Sequence, residues 1–346
     1  MQALTVTPGE KDSLQLRDVP EPSGREGDVL VEAMAVGLCG TDKEIVDGEY
    51  GQGPEGQDYL VLGHENLGRV REAPPGSGLT EGDLVVGIVR RPDPVPCKPC
   101  GAGEWDMCRN DRYTEHGIKG LDGFARELWR GSADAMVRLD PGLANVGVLL
   151  EPTTVVAKAW EQIERIGGRA FFDPNIVAVT GAGPVGLLAA MLGVQRGMEV
   201  HVFDVVTDGP KPDLVRDLGA TYHTGRVPDS DVNADILIEC SGIASVILDV
   251  IDSGATDSIT CLTGVSDTGR KTAVDLGGLN RGAVLGNKVI FGSVNANRRH
   301  YDAAAAALAS ADSGWLGRLI SRRHPLADFG AAFSHRPDDV KVVLDL

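Results

Sequence analysis

The pattern of hydrophobic and polar positions changes near residue 152. Before that point, short alternating runs interrupted by glycine and proline predict strands over residues 28–36 and 83–89. Residues 92–103 are rich in proline, glycine and cysteine and predict a loop. Residues 153–166 contain neither glycine nor proline and predict a helix. The region before this helix is therefore predicted to be rich in β-structure.

From residue 175 the pattern becomes strand, glycine turn, helix and strand. Short apolar strands are predicted over residues 176–180, 199–203, 235–239, 258–262 and 288–291. Helices are predicted over residues 187–196 and 301–310. Strands that alternate with helices indicate an α/β fold with a doubly wound parallel sheet.

Composition and charge narrow the class of protein. The chain has 346 residues, enough for about two domains. Its formal net charge is −17, and no basic patch is visible, which argues against a nucleic-acid binder. We expect a soluble, cytoplasmic protein, because neither a signal peptide nor a long apolar run is visible. The acid excess suggests adaptation to high salt, with ordinary acidic solubility as the alternative.

Three glycines follow the first predicted strand of the parallel sheet and open the next helix. The sequence Gly181-Ala-Gly183-Pro184-Val185-Gly186 has the spacing of a dinucleotide-binding turn. The first glycine permits a tight turn, the second lets a pyrophosphate approach the backbone, and the third lets the helix pack on the strand. The anion would lie against the amides of the helix N-terminus. A glycine turn that binds no ligand is the alternative.

Asp204 follows the second strand, 23 positions after Gly181. A carboxylate at this place accepts hydrogen bonds from the adenosine ribose hydroxyls and repels a 2′-phosphate. Because Val205 and Val206 follow it instead of arginines, the sequence predicts a preference for NAD, with NADP as the second cofactor. A solvated aspartate at the end of a strand is the alternative.

Cys39, His64 and Glu65 supply a thiolate, an imidazole and a carboxylate. These are the ligand types that zinc accepts in a tetrahedral site, and a catalytic zinc keeps one position open. Each residue taken alone is more often a small buried side chain or a satisfied polar group. The zinc interpretation is favoured because the same chain contains a turn that would bind a hydride acceptor.

Three of the six cysteines lie close together, in the pattern Cys97-x2-Cys100-x7-Cys108. In a chain without a secretion signal, such a set indicates metal binding more than disulfides. Three thiols at this spacing favour a structural zinc, but the spacing identifies no fourth ligand. Cys240 and Cys261 are predicted to be buried in strands of the parallel sheet and to have no chemical role.

In their order along the chain, these motifs resemble those of the zinc-dependent medium-chain alcohol dehydrogenases. The order is Cys39-Gly-Thr41-Asp42, Gly63-His64-Glu65-x2-Gly68, the cysteine-rich segment, Glu151-Pro152 and the glycine turn. The resemblance is narrowed to the archaeal glucose 1-dehydrogenases by Val89-Arg90-Arg91-Pro92, Gly117-Ile118, Asp122-Gly123-Phe124 and Gly292-Ser293-Val294-Asn295. It implies a GroES-like β-rich catalytic domain over residues 1–174 and 295–346, an inserted Rossmann domain over residues 175–294, and a homodimer or homotetramer.

The resemblance also implies a catalytic zinc held by Cys39, His64 and Glu151, with Glu65 as an alternating or additional ligand. The zinc would act as a Lewis acid on the C1 oxygen of a sugar. Thr41 would carry away the departing proton through its hydroxyl. The implied reaction is oxidation of an aldose (glucose, with galactose and xylose as candidates) to the lactone, with NAD(P). A polyol or secondary-alcohol dehydrogenase and a catalytically silent nucleotide-binding relative are the alternatives.

The remaining site residues rest on the resemblance alone. Those implied to bind sugar hydroxyls are Thr41, Glu115, Glu151 and Asn295. Those implied to contact the nucleotide are Gly264, Val265, Ser266, Ser293 and Asn295. His116 is taken as a loop histidine, and Val155 stands where some sugar dehydrogenases carry a carboxylate. In the cysteine-rich segment Pro94 stands near the place of a fourth cysteine, so Asp93, Asp111 or another oxygen completes the site, or the segment holds no metal.

Overall fold

The computed structural model describes residues 1–266 and 271–346. Its strands are β1 (Gln2–Val6), β2 (Gln15–Asp18), β3 (Val29–Leu38), β4 (Leu60–Val61), β5 (Glu65–Glu72), β6 (Leu84–Gly87), β7 (Arg90–Arg91), β8 (Thr114–His116), β9 (Gly120–Leu121), β10 (Leu128–Gly131), β11 (Met136–Arg138), β12 (Ile176–Thr180), β13 (Glu199–Phe203), β14 (Thr221–His223), β15 (Ile236–Glu239), β16 (Ile259–Leu262), β17 (Val289–Gly292), β18 (Ile320–Pro325) and β19 (Lys341–Asp345). Its α-helices are α1 (Gly40–Val46), α2 (Lys98–Gly101), α3 (Leu150–Gly167), α4 (Pro184–Gln195), α5 (Pro210–Asp217), α6 (Ala244–Asp252), α7 (Leu276–Leu285), α8 (Arg298–Ala309), α9 (Ser313–Leu319) and α10 (Phe329–Phe333). The chain forms two compact units, Met1–Glu151 with Ala296–Leu346, and Pro152–Asn295.

The first unit is built on a seven-stranded sheet. Its strands lie in the order β11-β6-β5-β3-β19-β18, and β10 also pairs with β3. The long strand β3 has fully buried positions that alternate with half-buried ones over most of its length, as expected when one face packs on a core. That core contains Val31, Val36, Phe124 and Trp129. Two three-stranded sheets, β2-β1-β4 and β7-β8-β9, complete the unit's β-structure among the described residues.

The C-terminal segment returns to the first unit through β19. This strand pairs antiparallel with β3, with Val342 opposite Leu38 and Val343 opposite Gly37. The pairing brings Lys341, the first residue of β19, to the end of β3 that precedes Cys39. A residue near the C-terminus thereby becomes part of the candidate metal site.

The second unit contains a six-stranded parallel sheet in the order β14-β13-β12-β15-β16-β17. Numbered along this unit, the order is 3-2-1-4-5-6, which is that of a doubly wound dinucleotide-binding domain. Helix α4 follows β12 and is buried around most of its surface, because its residues are apolar on all sides. The predicted doubly wound α/β fold is therefore confirmed.

The unit boundary lies inside α3, and so it differs from the boundary after residue 174 that the resemblance implied. The reason is the packing of this helix within the second unit. Trp160 is fully buried, and its indole Nε1 donates a hydrogen bond to Ala189 O on α4 at 3.3 Å. Most of α3 therefore belongs with the parallel sheet.

Three local expectations need correction. The segment predicted as a loop over residues 92–103 contains the short helix α2. His116 ends strand β8 rather than lying in a loop. Cys240 lies directly after β15, whereas Cys261 is buried within β16. None of the described helices is both long enough and apolar enough to cross a lipid bilayer.

Candidate active site

Cys39 and His64 meet at the ends of two neighbouring strands. Strand β3 ends just before Cys39, which caps the N-terminus of α1. His64 directly precedes β5, which pairs with β3. Cys39 Sγ lies 3.1 Å from His64 Nε2. One candidate ligand atom each from Cys39, His64 and Glu65 lies within 4.8 Å of the other two, so three of the predicted zinc ligands come together.

Two glycines make room for this cluster. Gly63 has a φ of +90°, and a Cβ there would lie 2.7 Å from Val36 Cγ1. Only glycine adopts this conformation readily and also avoids the clash. A Cβ on Gly37 would overlap Glu65 Oε2. The two glycines therefore let His64 and Glu65 lie directly against β3.

Asp42 contacts the other ring nitrogen of His64. Its Oδ1 lies 3.4 Å from His64 Nδ1, and its Oδ2 accepts a hydrogen bond from Cys39 N at 3.0 Å. Burial disfavours a charged His64, but the negative charges of Cys39 and Asp42 outweigh burial and raise the pKa of His64 well above its usual value. A metal-binding histidine typically has a carboxylate at one ring nitrogen, while its other nitrogen points toward the metal and the remaining ligands. His64 has this arrangement, with Asp42 at Nδ1 and the Cys39 thiolate at Nε2.

Glu65 forms a buried ion pair with Lys341. Lys341 Nζ lies 2.6 Å from each carboxylate oxygen of Glu65 and 3.1 Å from Leu38 O. Both side chains are only 2% exposed. Burial opposes the charge on Lys341, but Glu65 and Cys39 raise the pKa of its ammonium. Glu65 would therefore have to exchange Lys341 for a metal in order to become a ligand.

Glu151 lies in the first turn of α3. Burial raises the pKa of its carboxyl to about 7; the positive charge of His64 opposes this shift and the negative charge of Glu65 adds to it. Glu151 is not part of the three-residue cluster in the described chain, although it interacts electrostatically with two of its members. Its role as a zinc ligand stays a prediction.

Glu115 is held in place by an arginine. Strand register puts Arg90 on β7 opposite Glu115 on β8. Arg90 Nε and Nη2 each lie 3.0 Å from Glu115 Oε1, and both side chains are buried. The ring of Tyr113 packs on the guanidinium, and Arg90 Cζ lies 3.7 Å from the centre of that ring. Arg90 therefore fixes the orientation of the carboxylate that is predicted to bind sugar.

The donor set fits a zinc ion. Thiolate, imidazole and carboxylate groups converge from Cys39, His64 and Glu65, and Asp42 adds a further buried negative charge. Lys341 already balances the negative charge of Glu65. A metal ion would balance the negative charges that remain on Cys39 and Asp42. Thr41 is half-buried beside the cluster, and its backbone N–H donates to Cys39 Sγ at 3.3 Å.

The glycine turn of the second unit has the geometry of a phosphate cradle. Gly181 has a φ of +89°, and a Cβ on Gly186 would overlap the carbonyl oxygen of Gly181. A Cβ on Gly183, by contrast, would meet no described atom within 4 Å. Pro184 and Val185 begin α4 directly after it. Protein packing thus requires the third glycine, while the open backbone at the second fits a pyrophosphate.

Asp204 is anchored beside this turn rather than free in solvent. Its Oδ2 accepts a hydrogen bond from Ala182 N at 2.6 Å, and its Oδ1 accepts one from Val206 N at 3.0 Å. These bonds fix the carboxylate next to the glycines that would hold the pyrophosphate. A fixed carboxylate fits the predicted role in binding a ribose.

The other predicted nucleotide contacts follow later strands of the same sheet. They are Gly264, Val265 and Ser266 after β16, and Ser293 and Asn295 after β17. Ser266 Oγ donates to Gly242 O at 2.6 Å, and Asn295 has a φ of +59°. Because the carboxyl ends of parallel strands meet at one edge, these residues share an edge with the glycine turn. Their contacts with a nucleotide stay predictions.

The three thiols of the cysteine-rich segment form a second cluster, with their sulfur atoms within 4.8 Å of one another. Hydrogen bonds from backbone N–H groups, led by that of Arg109, lower the pKa of Cys97 to about 7. Burial raises the pKa of Cys100 to about 11. Together with Cys108, these sulfur atoms provide three ligands for a structural zinc.

Neither predicted aspartate joins the three thiols in the described residues. Asp111 Oδ1 lies 2.9 Å from Lys119 Nζ. Asp93 accepts hydrogen bonds from Val95 N at 2.8 Å and from Asn110 Nδ2 at 2.6 Å. A metal at this cluster would therefore take its fourth ligand from another oxygen, or Asp93 would have to release one of these partners.

Sequence reasoning assigned no role to three residues that shape the site. Asp42 stands in the quoted Cys39 motif, and its position three residues after a candidate ligand was an available signal. Arg90 stands within a segment used for the resemblance, but only strand register reveals its pairing with Glu115. Lys341 lies 276 positions from Glu65, and no local pattern could have found it.

Comparisons with known proteins identify the family of the chain. The chain matches the family model described as glucose dehydrogenase C-terminus over residues 144–346, and the one described as alcohol dehydrogenase GroES-like domain over residues 25–141. It is similar to the glucose 1-dehydrogenase of Thermoproteus tenax, with 42% identity covering 100% of this chain and 99% of the relative. The corresponding protein of Methanocella arvoryzae is 36% identical over the same shares. A solved structure of Haloferax mediterranei glucose dehydrogenase in complex with NADP, Zn and gluconolactone is also similar, with a TM-score of 0.92, 32% identity, and coverage of 100% of this chain and 99% of that one.

Proposed function

The chain belongs to the zinc-dependent medium-chain alcohol dehydrogenases of the archaeal glucose 1-dehydrogenase type, and on this premise we propose that it oxidises glucose at C1 to the lactone with NAD(P). We extend the proposal to galactose and xylose as further aldoses. The observation that carries it is the approach of Cys39 Sγ to His64 Nε2 at 3.1 Å, with Asp42 behind the ring. The relative that holds NADP, Zn and gluconolactone supports the same reaction.

Each residue of the site has a separate role in the proposed reaction. Zinc, when bound, supplies a Lewis acid that lowers the pKa of a hydroxyl, and NAD(P) supplies the hydride acceptor. Cys39 and His64 would hold the metal, with Glu151 as the third ligand. The Thr41 hydroxyl would take the departing proton. Glu115, fixed by its arginine, would accept a hydrogen bond from a sugar hydroxyl, and a substrate that lacks this hydroxyl would lose that bond.

Initial rates on a substrate panel test the proposal. The panel contains glucose, galactose, xylose, sorbitol and a simple secondary alcohol, each with NAD and with NADP, and the zinc content of the same preparation is measured. We expect turnover of the aldoses. Activity on sorbitol but on no aldose would favour the polyol dehydrogenase, and absence of both zinc and turnover would favour a silent nucleotide-binding relative.

We expect a preference for NAD, measured as the ratio of kcat/KM values for the two cofactors. The fixed Asp204 carboxylate accepts ribose hydrogen bonds and repels a 2′-phosphate. Asp204→Asn should reduce the ratio by about tenfold or more, because hydrogen bonds to a charged group contribute roughly 1.5–3 kcal/mol. The exposed Asp208 lies nearby in sequence, so Asp208→Asn is the matched control and should leave the ratio unchanged. A native preference for NADP would contradict the assignment.

The three-thiol cluster should raise the metal content to two zinc ions per chain. Cys100→Ser removes a buried ligand and should lower the content to one, with a lower melting temperature, because structural zinc contributes directly to folding free energy. Cys261→Ser is the control for loss of a buried thiol and should keep both ions. Metal analysis by mass spectrometry decides the point, and a single zinc in the native chain would show that the segment is metal-free.

We also propose that the chain forms a homodimer or homotetramer through the outer edge of the parallel sheet. Strand β17 is the last strand of that sheet, and α7 beside it in sequence exposes Leu276 (72%) and Leu285 (68%). Unpaired edges and exposed apolar side chains are typical of association surfaces. Ile290→Lys should reduce the mass found by sedimentation, and a native monomer would refute the proposal.

A further inference from the structure

Tyr222 reaches from the outer strand of the parallel sheet to the segment that follows Asp204. Strand β14 pairs with β13, and the register places Tyr222 opposite Val202. The Tyr222 hydroxyl donates a hydrogen bond to Val206 O at 2.6 Å. Val206 lies beyond the end of β13, so the half-buried ring spans from its own strand to the segment after the neighbouring one.

Asp204 binds the N–H group of the same residue. Its Oδ1 accepts from Val206 N at 3.0 Å, and its Oδ2 accepts from Ala182 N at 2.6 Å. Val206 is thus held through its N–H by Asp204 and through its carbonyl by Tyr222. A continuous series of hydrogen bonds therefore runs from the glycine turn through Asp204 and Val206 to β14.

The backbone at the end of β13 is fixed independently of the Tyr222 hydroxyl. Gly181 N donates to Phe203 O at 2.8 Å, and Asp204 N donates to His223 O at 3.0 Å. Beyond this point the segment is open, because the side chain of Val205 is 82% exposed and packs little against the sheet. The Tyr222 hydroxyl therefore restrains a segment that apolar packing does not hold.

The hydroxyl is an uncharged donor at neutral pH. Burial, and after it the negative charge of Asp204, raise the pKa of Tyr222 to about 12, although Arg216 opposes this shift. Because a carbonyl only accepts, the proton of the hydroxyl must lie on the bond to Val206 O. Replacing tyrosine by phenylalanine removes this bond and keeps the ring that packs on the sheet.

We propose that Tyr222 is a positioning residue for the discrimination between NAD and NADP, and that it acts through Asp204. By holding Val206 in place, it keeps the Val206 N–H on one carboxylate oxygen of Asp204. The carboxylate then stays beside the glycine turn, where it accepts from ribose hydroxyls and repels a 2′-phosphate. Each of its oxygens has a further lone pair for the ribose. Without the hydroxyl, the segment would move more freely and Asp204 would turn away from a 2′-phosphate.

This proposal rests on the proposed use of NAD(P), so its test measures binding and needs no turnover. Zinc-loaded protein is titrated calorimetrically with NAD and with NADP, without a sugar. The two dinucleotides differ only in the 2′-phosphate, so the ratio of the Kd for NADP to the Kd for NAD isolates its contribution. Tyr222→Phe should lower this ratio at least about threefold, a change typical of the loss of one neutral hydrogen bond.

A double variant tests whether Tyr222 acts through Asp204. In the background of Asp204→Asn, Tyr222→Phe should leave the ratio unchanged, because the charge that it positions is already absent. Tyr59→Phe is the matched control, since it removes the hydroxyl of a half-buried tyrosine in the first unit, and it should keep the native ratio. A merely structural role would weaken the binding of both dinucleotides equally and would overturn the proposal. An effect of full size in the Asp204→Asn background would also overturn it.

A second variant tests the same link from its other end. Val206→Pro removes the N–H from which Asp204 accepts, so it should lower the ratio as Tyr222→Phe does. An unchanged ratio in either variant would show that the link does not position the carboxylate. A lowered ratio in a chain that oxidises no aldose would refute the proposed reaction alone. Aldose turnover with an unchanged ratio would refute the role of Tyr222 alone.

Discussion

Cys39→Ser and His64→Ala should each lower kcat for glucose by at least about 10³-fold, since loss of Lewis-acid stabilisation costs several kcal/mol of the barrier. Nucleotide affinity, measured by quenching of protein fluorescence with NAD or NADP, should change little. The reason is that Cys39 and His64 belong to the first unit, whereas the glycine turn belongs to the second. Serine is itself a good N-cap, so Cys39→Ser removes the thiolate and leaves the start of α1 intact.

The matched control for the histidine variant is His335→Ala, because His335 is exposed and lies outside the cluster. It should keep the native kcat and the native zinc content. Zinc analysis of all three variants shows whether lost turnover follows lost metal. Native turnover in both Cys39→Ser and His64→Ala would contradict the roles assigned to these residues.

Lys341→Met should lower the free energy of unfolding by about 3–5 kcal/mol, because it leaves the Glu65 carboxylate buried without its partner. Lys341 Nζ lies 2.6 Å from both oxygens of that carboxylate, and each side chain is 2% exposed. Urea unfolding followed by circular dichroism, in zinc-free protein, measures the effect without a contribution from the metal. The exposed Lys43→Met on α1 is the matched control and should change the free energy by less than about 0.5 kcal/mol.

A second substitution tests the cause of this loss. Glu65→Met combined with Lys341→Met removes both charges and should be more stable than Lys341→Met alone, since a hydrophobic pair of similar volume replaces a buried ion pair at little cost. If the double variant is no more stable than the single one, the loss comes from packing of the lysine stem rather than from the unpaired carboxylate. The comparison also bears on Glu65 as a ligand, because Lys341 competes with the metal for its oxygens.

Local sequence predicted the second unit well. Strands β12 and β13 begin and end where alternation and apolar runs place them. Helix α4 begins at Pro184, three residues before the predicted start, because proline is favoured in the first turn of a helix. These elements depend on backbone propensity and on burial along a short stretch of chain, which a sequence pattern reports directly. The doubly wound fold followed from their alternation.

The cysteine-rich segment was harder to predict from its sequence. Proline and glycine over residues 92–103 indicated a loop, yet Pro99 lies within the short helix α2. The spacing of Cys97, Cys100 and Cys108 did predict that the three thiols meet. The missing fourth ligand remained open, because a ligand that comes from elsewhere in the chain leaves no trace in local spacing.

For the candidate active site, the sequence determined the kinds of ligand and the backbone conformation immediately around them. Cys39 as a helix cap, the glycine before His64 and the three-glycine turn are all properties of a few neighbouring residues. Only the tertiary structure decided which charges face each other. The pairing of β19 with β3 brings Lys341 to Glu65, and the pairing of β7 with β8 brings Arg90 to Glu115 and sends Arg91 to the opposite face. Strand pairing joins residues far apart in the chain, and the energy of a buried charge depends on those distant partners, so no local pattern encodes it.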